Sequence, residues 1–137
     1  MKKTKATLAI LFIVSVVLLF SACGSSPKKD IVGDWVLAGT DEVMFSFKNG
    51  GSFRSSEGSG SYAIGNKSIT FRVESETKVY EWNDDYVNNR QGGGWYVDGD
   101  FLFIWGRYYI RAGKDQDKVL KKYVGKDLEE LSREDLL

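Results

Sequence analysis

One thiol stands in this chain of 137 residues, at Cys23. Thiolates attack carbon, bind soft metals or pair with a second thiol, and each of these needs a neighbour. The chain has no second cysteine, so no disulfide can close within it. It also has no histidine, which removes the commonest general base and the commonest zinc ligand. Acid–base work would fall to carboxylates such as Glu81 and Asp84, and nothing distinguishes these from the rest of a polar loop. Asp84, Asp85 and the asparagines nearby offer hard oxygens of the kind calcium takes. The alternating Asp-x-Asp-x-Asp-Gly spacing of a calcium loop is missing, however. No catalytic residue, metal or cofactor is assigned, and the chain reads as a non-enzyme.

What precedes Cys23 gives the thiol another role. Lys2, Lys3 and Lys5 open the chain, an uncharged apolar run follows from Ala6 to Phe20, and Ser21 and Ala22 come just before the cysteine. Basic, apolar, then small is the layout of an export signal, whose lysines stay on the cytoplasmic side. Two alternatives stay open. Residues 6–22 approach the roughly 20 needed for an uncleaved membrane-spanning helix, and an ordinary secretory signal would leave Cys23 as a free thiol. The stretch Phe20-Ser21-Ala22-Cys23, followed by Gly24, resembles a bacterial lipoprotein signal. The resemblance implies cleavage between Ala22 and Cys23, acylation of Cys23, and anchoring in the bilayer on the extracytoplasmic face of the cell membrane. One acyl chain holds a membrane marginally, whereas two or more hold it stably. Gly24 is not the aspartate associated with inner-membrane retention, so inner or outer membrane stays undecided for a host that has two.

Charge narrows the partners. The formal net charge is zero, but the signal segment 1–22 carries three lysines and no acid. The remainder has 16 basic against 19 acidic side chains, a net −3. A mildly acidic product does not suit nucleic acid, which requires a basic face to displace counterions.

The elements that must carry any site read as strands. Residues 23–30, the acylated cysteine and the polar "GSSPKKD", form a short tether. Period-two alternation follows. Val43, Phe45 and Phe47 point one way, as do Ile69, Phe71 and Val73. In "DFLFIWG", Phe101, Phe103 and Trp105 share one face and Leu102 and Ile104 the other, so that strand is buried on both sides. Asn49-Gly50-Gly51, Gly65-Asn66, Asp98-Gly99 and Gly106 supply turns. "GSYAIGN" (60–66) and "GWYVDGD" (94–100) repeat one pattern, most simply as two hairpins needing similar turn chemistry. The fold class is all-β: a small antiparallel meander barrel of about eight strands over 31–112, preceded by a signal helix. Residues 113–137 form a short helical tail, with Val119, Leu120, Tyr123 and Val124 at helical spacing and a break at Gly125. Asp127 with Glu130, and Ser132 with Asp135, have capping-box spacing. The tail is expected to lay its apolar stripe on the barrel or across one end.

"IVGDW" (31–35), "MFSFKNGGSF" (44–53) and "GSYAIGNKSITF" (60–71) together resemble small lipocalin-like domains of bacterial lipoproteins. Those domains begin Gly-x-Trp, continue Phe-x-Phe-x-x-x-Gly-x-Phe and then Gly-x-Tyr before an apolar strand. The resemblance covers about residues 31–111. It implies a first-strand tryptophan packed under a last-strand arginine, closing one end of the barrel. Gly33 and Trp35 match the first part, and Arg111 or Arg107 the second. It also implies a binding module for a small ligand or a cell-envelope component.

Where that ligand would sit is read from the longest gap between strands, "YEWNDDYVNNRQGGGWY" (80–96). Trp82, Tyr86, Trp95 and Tyr96 are expected to line an open end there, with Asn83 and Arg90 as polar handles. Loops on rigid scaffolds commonly carry function. The alternative is a structural protein that meets a protein partner through the 83–94 loop or the C-terminal helix.

Overall fold

The computed structural model describes residues 26–131 and residue 136. The signal segment, Cys23 with its cleavage bond, and the Ser132–Asp135 capping box lie outside the described residues. Among those described, no helix is long and apolar enough to cross a membrane.

Nine antiparallel strands form one sheet. They are β1 (Gly33–Leu37), β2 (Val43–Phe47), β3 (Ser52–Ser55), β4 (Gly58–Ile64), β5 (Ser68–Val73), β6 (Glu76–Glu81), β7 (Trp95–Asp98), β8 (Phe101–Ile104) and β9 (Arg107–Arg111). A helical turn α1 (Pro27–Asp30) precedes them and a helix α2 (Gln116–Tyr123) follows. The sheet order is β6-β5-β4-β3-β2-β1-β9-β8-β7. Consecutive strands pair as hairpins except at β6 and β7, and β1 pairs with β9 through Trp35↔Arg111, Val36↔Ile110 and Leu37↔Tyr109. The sheet curls until its edges meet at a single parallel bridge, Trp82↔Trp95. The barrel is thus nearly closed.

Alternation puts one face of every strand inside. Trp35, Leu37, Phe45, Phe47, Phe53, Ile69, Phe71, Trp95, Val97, Leu102, Ile104 and Tyr109 form the interior cluster. Phe45, Phe47, Phe53 and Phe71 stack along it with ring centroids 5.0–6.1 Å apart, filling a bore just wide enough for side chains. The outer face of β8 and β9 is apolar too. Phe101, Phe103, Tyr108 and Ile110 are buried there beneath Tyr86, Val119, Leu120 and Leu131. The tail therefore covers the side of the barrel rather than an end. Asp115 caps α2 by accepting from Lys118 N, and Gly125 ends the segment at φ +83°. Beyond it Asp127 and Glu130 exchange the two bonds of a capping box at 3.0 and 3.5 Å.

Two expectations change. Residues 27–30, within the stretch read as a tether, are helical: Ser26 caps the turn and Pro27 occupies its first position. Trp105 leaves the β8 face it was assigned to. Trp105 and Gly106 form a two-residue hairpin turn with φ +58° and +69°, the positive-φ turn that suits strand twist. This frees the indole from the strand's alternation.

The repeated glycines have a shared physical reason. A Cβ on Gly60 would lie 2.0 Å from the Arg72 carbonyl, and one on Gly94 would lie 2.5 Å from that of Glu81. Both copies open hairpins, β4–β5 and β7–β8; in each the first glycine also admits the carbonyl of a neighbouring strand, and Gly94 and Gly99 adopt the positive φ of turns.

Candidate functional site

The two ends of the barrel differ. One end holds α1 and the β2–β3, β4–β5 and β7–β8 connections, and it is closed. Trp35 is wholly buried there, its Nε1 donating to Ile31 O at 2.8 Å. The Arg111 guanidinium lies over the indole, 4.5 Å from the ring. Its nitrogens donate to Val32 O at 2.6 Å, Gly99 O at 2.8 Å, Asp100 Oδ1 at 3.0 Å and Asp30 O. Gly33 makes room, since a Cβ there would meet the guanidinium at 2.6 Å with φ at +129°. Arg111, not Arg107, is therefore the partner of Trp35, and it ties α1, β1 and the β7–β8 turn into one plug. Arg107 lies on the same face of β9, four residues nearer the other end.

The 83–94 loop does not surround an opening. Asn83 folds it: its Nδ2 donates to Asn89 O at 3.0 Å and Gly93 O at 2.8 Å, and its Oδ1 accepts from Asp85 N at 3.1 Å. Tyr86 then lies against the outer wall, buried between Phe101 and Phe103, its hydroxyl donating to Tyr123 O at 2.7 Å. Burial drives its phenol pKa well above the ordinary value, with Tyr96, Tyr108, Tyr123 and Asp98 adding to the shift. Trp95 is fully buried inside the bore, with Trp82 edge-on to it at 5.0 Å. Tyr96 sits between Trp82 at 4.9 Å and Tyr86 at 4.8 Å. The four aromatics do come together, as a packed seam where β6 meets β7. Arg90 Nε donates to Gly106 O at 2.6 Å, with its guanidinium 5.4 Å from the Tyr108 ring. It thereby holds the β8–β9 turn.

That turn stands at the open end. A cleft of about 200 Å³ lies there, lined by Phe53 and Ser55 of β3, Phe71 and Val73 of β5, Lys78 and Tyr80 of β6, and Trp105, with Glu57 and Glu76 among its charged groups. Trp105 crosses the end. Its ring contacts Phe45 at 4.8 Å and its Nε1 donates to the Tyr80 hydroxyl at 2.8 Å. Of these residues, the sequence marks Phe71, Val73 and Trp105 as apolar strand positions and singles out no site here. The available signal was Trp105-Gly106 between two apolar runs, which marks a hairpin turn and puts a large ring at a strand end. Among the described residues no group of three or more acidic, cysteine or histidine side chains could hold a metal ion.

Tyr109 lies deeper, its ring 5.1 Å from Phe45. Its hydroxyl is buried with no partner at full hydrogen-bond geometry, the Arg107 guanidinium being the polar group nearby. Burial pushes its pKa up to about 12, against the downward pull of Arg107 nearby, and Glu57 adds a small upward push. Burial also raises Tyr123 to about 12, reinforced by Asp98, which accepts its hydroxyl at 3.2 Å. The unfolded phenols titrate near 10. The stability these two phenols contribute is therefore complete below about pH 10 and is lost as pH rises toward about 12. Tyr109 alone is expected to account for about 2 kcal/mol of that loss. Urea midpoints near pH 9 and near pH 11.5 check this, with a smaller drop expected in Tyr109→Phe.

No family model, curated protein or solved structure matches this chain.

Proposed function

We propose that this chain is a membrane-anchored extracytoplasmic lipoprotein whose lipocalin-like barrel works by binding a small ligand or cell-envelope component at its open end. The observation that carries the binding reading is the cleft lined by Phe53, Phe71, Tyr80 and Trp105 at the barrel end opposite α1 and the Arg111 plug. Clefts of this kind, apolar with a few polar groups, are where small molecules bind. The lipocalin-like reading is supported by the meander order and by Arg111 over Trp35. The anchor rests on Phe20-Ser21-Ala22-Cys23. The 83–94 loop and α2 spend Tyr86, Val119 and Leu120 on the barrel wall, which favours ligand binding over a protein contact through either.

Native mass spectrometry on the full chain, purified gently from its source cells, tests the reading. A retained small-molecule mass that is lost in Trp105→Ala is expected. A ligand-free chain in stoichiometric complex with another protein would replace it with the interaction reading. Cys23→Ala is expected to accumulate as unprocessed precursor, and normal processing with retained membrane attachment would remove the anchor.

A further inference from the structure

The inference here rests on the binding reading above and adds the chemistry of the ligand. Three observations at the open end converge. First, Trp105 is held across it by the ring contact with Phe45 and the bond to Tyr80, both outside the strand ladder. It is 37% exposed, and its backbone sits at φ +58°, a conformation uncommon for bulky residues. Second, the cleft of about 200 Å³ is smaller than the roughly 300–1,000 Å³ typical of drug-sized ligands. Third, the Tyr109 hydroxyl is buried with no partner at full hydrogen-bond geometry, and the Arg107 guanidinium beside it can only donate, so its own O–H proton has no acceptor.

We propose that the open end takes an uncharged single-ring or short-chain molecule carrying one hydrogen-bond-accepting oxygen, which meets the Tyr109 hydroxyl when Trp105 turns aside. Size follows from the cleft. Neutrality follows from the balance of Glu57 and Glu76 against Lys78 and Arg107, which leaves no excess of either sign, and from the apolar bore, which disfavours any unpaired charge. The preference for an acceptor follows from the phenol as donor and from Arg107, on the same face of β9 two residues closer to the open end, which makes the surroundings of that hydroxyl more positive. Trp105 acts as a door, and Arg90 steadies the turn on which it hangs.

Acetophenone and ethylbenzene differ chiefly by the carbonyl oxygen and serve as probes. The purified full chain in detergent is titrated with each while the tryptophan indole N–H resonances are followed by NMR, Trp105→Phe identifying the Trp105 signal. Partition into micelles is common to all variants and cancels between them. Both probes are expected to shift the Trp105 signal saturably. Tyr109→Phe is expected to weaken acetophenone about tenfold and leave ethylbenzene unchanged. Equal effects on the two probes, or none on either, would overturn this inference while leaving a binding barrel. No saturable shift from either probe would overturn the binding reading as well. A urea midpoint for Tyr109→Phe at or above that of the parent shows that the variant is folded.

Discussion

Arg111→Ala is expected to lower stability by about 3–5 kcal/mol, the largest loss of any single side chain on the inner wall outside the aromatics. Four acceptors lose their donor together: the carbonyls of Asp30, Val32 and Gly99 and the carboxylate of Asp100. Each bond to a charged group is worth about 1.5–3 kcal/mol, though water reaches part of the site and recovers some of it. The indole of Trp35 loses its cation as well, an interaction of about 1–2 kcal/mol when partly desolvated. Arg111→Lys should recover less than half, because an ammonium cannot fork to several acceptors in fixed directions. Urea midpoints of the three proteins check this. A midpoint for Arg111→Ala within about 1 kcal/mol of the parent would mean that the plug is held by Ile31 and Trp35 without the guanidinium.

Gly60→Ala is the second large effect. The added methyl would sit 2.0 Å from the Arg72 carbonyl oxygen and 3.3 Å from Phe53 Cε1. The first neighbour is backbone in a paired strand and cannot rotate away, so β4 and β5 must part where Ser61↔Arg72 and Tyr62↔Phe71 hold them. Overpacking of this sort commonly costs about 1–3 kcal/mol where side chains can give; with backbone opposite, about 3–4 kcal/mol is expected. Gly50→Ala is the control, since its added methyl would meet nothing within 4 Å. Thermal unfolding of the pair should separate them widely, and similar curves would mean that the barrel wall yields more than its geometry suggests.

The wall of this barrel was legible because alternation is a local signal. Phe45 with Phe47, and Ile69 with Phe71, declare an inner face over a few residues. The tail was legible for the same reason, since Val119 and Leu120 share one stripe and both are buried. The cleft at the open end was not, because position around a barrel is non-local. "YEWNDDYVNNRQGGGWY" looks like a rim from composition, yet Asn83 draws the loop closed and Tyr86 finds an apolar outer wall on β8. That wall was itself visible in "DFLFIWG", whose two apolar faces demand cover on both sides. What was missing was which segment supplies the cover. Trp105 shows the complementary difficulty: alternation counts it with Phe101 and Phe103, and only the positive φ of its turn sends it over the end of the bore.

The placement of α1 carries a consequence for how the molecule stands. The chain enters the described structure at Ser26, and α1 lies at the plugged end, where Asp30 accepts from Gly99 N and Arg111. With Cys23 acylated as proposed, two residues, Gly24 and Ser25, separate it from Ser26, a reach of about 11 Å over three fully extended steps. So short a leash holds the plugged end down against the headgroups and leaves the domain little freedom to turn over. Trp105, at the far end of the barrel, then faces away from the bilayer. A ligand would arrive from the aqueous side, and molecules dissolved in the anchoring membrane would have no direct route in.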